Sequence, residues 1–74
     1  MKLYPNPIMN NIIIESIDKK ITSIIIFSIN GDKLFYKDLN SSKNSIDISS
    51  LSSGVYILKV NMNNFYRTIK IIKK

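Results

Sequence analysis

Apolar and polar residues alternate with period two along much of the chain. Ser45-Ile46-Asp47-Ile48-Ser49 and Thr68-Ile69-Lys70-Ile71 are the clearest cases. Such alternation puts successive side chains on opposite faces of a strand. No stretch carries the i, i+3, i+4, i+7 spacing of an amphipathic helix. The pattern predicts six strands, over residues 11–17, 21–29, 33–39, 45–49, 55–61 and 65–72. A seventh short strand fits near Leu3 or Ile8.

The breaks between these runs have their own chemistry. Asn30-Gly31 is the strongest hairpin signal, because both residue types accept positive φ. Gly54 supplies a positive φ just ahead of Val55. Pro5 and Pro7 bar helix at the residues before them and keep the opening extended. Residues 1–8 thus read as a Pro-rich entry segment and residues 9–74 as the folded body of one domain. Short strands with short connections predict a small sandwich or barrel.

The alternation also nominates a core: Ile24, Ile26, Ile46, Ile48, Leu51, Tyr56, Leu58, Val60, Ile69 and Ile71. Tyr56 reads as a buried ring with a hydrogen-bonded hydroxyl. If Ile24 and Ile26 face inward, Ile25, Phe27 and Ile29 face outward. Ile13, Ile17 and Phe35 extend that outer stripe if the registers allow. The outer faces of a sandwich are normally polar, so this stripe reads as an interaction site or a second-copy contact.

Composition strengthens the all-β reading. Sixteen of the 33 apolar residues are Ile, and the 74-residue chain has no Ala and no Gln. Ile is stiff at χ1 and suits strands. The absence of Cys and His excludes thiolate nucleophiles, Cys/His zinc sites and Ser-His-Asp triads within the chain. The five acids, Glu15, Asp18, Asp32, Asp38 and Asp47, fall in expected turns or on polar strand faces. They suggest surface charge rather than a catalytic pair or a metal site, and no cofactor is implied. No apolar run approaches the ~18–20 residues of a membrane span. Two prolines interrupt the N-terminus where a signal peptide would be apolar. The net charge of +6 is scattered over Lys19-Lys20, Lys33, Lys37, Lys43, Lys59, Arg67, Lys70 and Lys73-Lys74. It reads as a solvated surface, without the aromatic–basic interleaving of a nucleic-acid binder.

The order of the punctuation is more specific than any one piece. Leu3-Tyr4-Pro5-Asn6-Pro7 comes first, then Ile29-Asn30-Gly31-Asp32-Lys33. Leu51-Ser52-Ser53-Gly54-Val55-Tyr56 follows, and Lys70-Ile71-Ile72-Lys73-Lys74 closes the chain. Across nearly its whole length the chain resembles the type A C-terminal sorting domain of the type IX (Por) secretion system. The resemblance implies an immunoglobulin-like β-sandwich of about six to seven mostly antiparallel strands. It implies a non-catalytic signal at the C-terminus of a passenger protein exported by a Gram-negative bacterium. The partners implied are the outer-membrane translocon and a sortase-like surface peptidase. The route implied runs through the periplasm to the outer membrane, cell surface or extracellular space. The recognition residues implied are Tyr4, Pro5, Asn6, Pro7, Asn30, Gly31, Gly54, Val55, Tyr56, Lys70, Lys73 and Lys74. The passenger itself is absent from this sequence. The alternative is a stand-alone immunoglobulin-like adhesion or carbohydrate-binding module. Lys73 and Lys74 read as exposed, so their deletion is expected to cost under about 1 kcal/mol.

Overall fold

A computed structural model describes residues 1–5 and 8–74. Seven strands follow one another: β1 (Lys2–Tyr4), β2 (Asn11–Glu15), β3 (Ile21–Ser28), β4 (Lys33–Ser41), β5 (Lys43–Asp47), β6 (Gly54–Met62) and β7 (Phe65–Lys73). They form two sheets, one of order β1-β2-β5 and one of order β4-β3-β6-β7. All of these strand pairs are antiparallel. The fold is an all-β, immunoglobulin-like sandwich. Its fourth strand lies beside the third in the larger sheet rather than beside the fifth in the smaller.

The core lies between the sheets. Ile12, Ile14, Ile46 and Ile48 come from the smaller sheet and its continuation. Ile21, Ile24, Ile26, Tyr56, Leu58, Val60, Met62 and Ile71 come from the larger. Leu51 and Ile69 pack against the cluster, so every residue nominated from the alternation belongs to it. A fully buried Ile contributes roughly 1.5–3 kcal/mol relative to an exposed one, and with Ile8 the cluster holds nine buried Ile.

Three sequence expectations change. Phe35 pairs with Ile26 in register and packs on the core, not on the outer stripe. The cause is a register shift: Ile26 pairs Phe35 but Phe27 pairs Lys33, so β4 carries one extra residue, Leu34. One inserted residue reverses which side chains face inward. Ile13 belongs to the other sheet, and Ile17 stands in the β2–β3 turn at 90% exposure. Finally, β5 starts at Lys43, two residues before the expected strand, because it pairs along β2 from Glu15 to Asn11.

The β3–β4 turn differs in detail from an Asn-Gly pair with two positive φ angles. Gly31 alone takes positive φ, at 95°, and Asn30 does not. The Gly31 amide donates to the Ser28 carbonyl at 3.0 Å and the Ser28 amide to the Asp32 carbonyl at 2.8 Å. The Ser28 hydroxyl accepts the amides of Asn30 and Asp32, each at 3.2 Å. This is a tight turn followed by a left-handed glycine, the longer alternative to a two-residue hairpin.

Candidate recognition surfaces

The two ends of the domain meet along one edge. Residues 2–4 pair with Ile13–Glu15 of β2. Ile8 is 2% exposed and forms a parallel bridge with Lys73. Its amide donates to the Ile72 carbonyl at 3.0 Å, and its carbonyl accepts the Lys74 amide at 2.8 Å. The segment read as an entry therefore contributes a strand and a core residue to the sandwich. Lys73 is itself only 8% exposed, which corrects its reading as a solvated cation. It follows Ile71 on the inward face of β7, the placement that buries a long aliphatic stem.

Tyr56 anchors the other end of the motif. Its ring is 7% exposed, and its hydroxyl donates to the Ser52 carbonyl at 2.5 Å. The bond returns from the start of β6 to the β5–β6 connection, the arrangement of a tyrosine corner. Gly54, between the two, has φ 156°, a value that L side chains rarely adopt. It lets the chain enter β6 directly after the corner.

Near the N-terminus, the Tyr4 hydroxyl donates to Glu15 Oε1 at 2.5 Å, and Lys43 Nζ lies 3.5 Å from the same oxygen. The phenol hydrogen bond, helped by Lys43, holds the Glu15 carboxyl below its usual range. The same bond raises the Tyr4 hydroxyl. Asp47 is lowered chiefly by the Ser49 amide, which donates to Oδ1 at 2.8 Å. Tyr4 and Asp47 are exposed and Glu15 is half-buried, and each contact fastens neighbouring strands or turns. Among the described residues, no group of three acids could hold a metal ion.

The outer face of the four-stranded sheet is less ordinary. One row across it reads Lys33, Phe27, Ile57, Lys70. The next reads Tyr36, Ile25, Lys59, Thr68. Val55 and Ile72 extend it at one end, and Asp38, Ser23, Asn61 and Tyr66 at the other. Ile25, Phe27 and Ile57 are half-buried, and Ile72 is half-exposed. Ile29 stands exposed in the turn just beyond β3. Lys33 lies over the Tyr36 ring at 5.8 Å and Lys59 over the Tyr66 ring at 4.4 Å.

The family model for secretion-system C-terminal sorting domains matches residues 2–74. The chain belongs to that family. It is a C-terminal sorting signal of the type IX secretion system. No match was found among curated proteins, and none among solved structures.

The sorting-domain motifs do not converge on one site. Pro5 lines a groove with Leu3, Ile8, Ile69 and Ile71, whereas Tyr4 ends β1 with its hydroxyl on Glu15. Asn30 and Gly31 form the β3–β4 turn, and Gly54, Val55 and Tyr56 open β6. Lys70 stands on the outer face, whereas Lys73 and Lys74 are bound into the chain-end clasp. Asn6 and Pro7 lie outside the described residues. The burial of Ile8 and the placing of Lys59 and Ile57 on the outer face escape a reading by motif. A signal for Lys59 was present: it is the one charge inside the otherwise apolar run from Val55 to Val60.

Proposed function

We propose that this domain directs a covalently preceding passenger through the type IX outer-membrane translocon, without catalytic activity of its own. A surface peptidase of the sortase type then processes or anchors the passenger. The route passes through the periplasm to the cell surface or the extracellular space. The polarity of the fold supports this reading. Ile8 bridges Lys73 in parallel, so the chain passes the end of β7 in the direction in which β7 itself runs. Met1 lies at the pole of Ile17, Phe65 and Arg67, where β7 begins. Lys74 lies at the far end of β7, next to Ile8. A passenger joined before Met1 therefore sits at the opposite pole from Lys74, whose exposed side chain stays open to a receptor.

The test is a fusion of a periplasmic signal peptide, a reporter and residues 1–74 in a host with the type IX machinery. The reporter should reach the surface or medium. Retention in the periplasm in every such fusion would overturn the proposal.

A further inference from the structure

The outer face of the β4-β3-β6-β7 sheet combines three features. Its centre is apolar, with Ile25, Phe27 and Ile57 half-buried. Its flanks are cationic: Lys33 on β4 and Lys70 on β7 bracket the Phe27–Ile57 pair. Three strand spacings put those two lysine positions about 14 Å apart. Lys59 adds a third cation in the adjoining row. The lone acid on the face, Asp38, is already engaged by the Tyr36 hydroxyl at 2.5 Å.

These features choose among occupants. A second copy on the same face would set Lys33, Lys59 and Lys70 against their own kind, which is repulsive. Nucleic acid would want free aromatic faces for stacking, but a lysine ammonium lies over each of Tyr36 and Tyr66. A bilayer would want its most protruding apolar side chains at the centre of the face, whereas Ile25, Phe27 and Ile57 there are half-buried and the exposed Ile29, Val55 and Ile72 stand at one end. An apolar ridge with carboxylates on both sides fits instead. We infer that this face is a docking surface for an acidic, amphipathic segment of another protein, its apolar residues over Phe27 and Ile57 and its carboxylates on Lys33, Lys59 and Lys70. The inference rests on the face's own chemistry and not on the sorting role.

The experiment titrates the isotopically labelled 74-residue domain with a short peptide in which glutamate and leucine alternate. Shifts of the Ile25, Phe27, Ile57, Lys59 and Lys70 amides are expected. Affinity should fall about tenfold or more in Lys33→Gln/Lys70→Gln, with an unchanged melting curve, and should weaken with salt. The lysine–leucine counterpart of the peptide should leave the spectrum unmoved. Absence of localised shifts, or undiminished binding by the double variant, would overturn the inference. So would equal or tighter binding of phosphatidylglycerol vesicles or single-stranded DNA at the same residues. Sedimentation showing a dimer built on this face would overturn it as well. Phe27→Ser is the second variant, and it should abolish the shifts while the domain remains folded by circular dichroism.

Discussion

The carbonyl of Ile8 accepts the amide of Lys74 at 2.8 Å, so the last residue of the domain is held by one of its first. With the reciprocal bond from Ile8 to Ile72, this forms a short parallel clasp around Lys73. Deleting Lys73-Lys74 therefore removes a buried stem and a backbone hydrogen bond, not two solvated charges. The expected cost is about 1–3 kcal/mol. Thermal melting of the truncated domain checks this, and a melting temperature equal to wild type would refute the clasp. Lys74→Ala keeps the backbone bond and should leave stability unchanged, so it is the cleaner variant for asking whether export reads the terminal charge.

Tyr56→Phe keeps the buried ring and removes only the hydroxyl. The Ser52 carbonyl then loses its phenol donor. A loss of about 1–2 kcal/mol is expected in urea denaturation. A change within error would mean that solvent replaces the donor at no cost.

Gly54→Val should cost more than about 1 kcal/mol. A Cβ at Gly54 meets nothing nearer than the Tyr56 ring at 4.0 Å. The penalty is therefore backbone strain rather than collision, and Gly54→Ala should show much of it. Gly31→Ala, at φ 95° with open space around it, should destabilise the β3–β4 turn for the same reason. Chemical denaturation of the three variants separates strain from packing.

Stability should decline at both extremes of pH. Glu15 and Asp47 have lowered folded-state values. Their contribution is present above the ordinary carboxylate range and is lost as pH falls through the lowered values. Tyr4 and Tyr36 are raised by their bonds to Glu15 and Asp38. Their contribution is present below the ordinary phenol value of 10.0 and is lost as pH rises through the raised values. Tyr4→Phe removes one partner from each limb. Its melting temperature should vary less with pH than wild type, both below about 4.5 and above about 10. An unaltered profile would show that the Tyr4–Glu15 bond carries none of the dependence.

Alternation and turn residues along the chain were enough for the strands, the all-β class and most of the core, with sandwich or barrel left open until the motif order was read. These are local properties: period-two alternation decides which side of a strand is apolar, and glycines mark where the chain must turn. The motif order, likewise read along the chain, named the family. Tertiary structure decided what depends on register and distant pairing. Leu34 gives β4 an extra residue opposite β3, so Phe35 pairs with Ile26 and packs inward, which settles a placement that depended on register. Ile8 and Lys73 are far apart in sequence, so neither residue's burial was legible until the chain ends met. The lysine-flanked apolar face has the same origin. Lys33, Phe27, Ile57 and Lys70 come from four strands, and only the hydrogen-bonded register of the sheet sets them in one row.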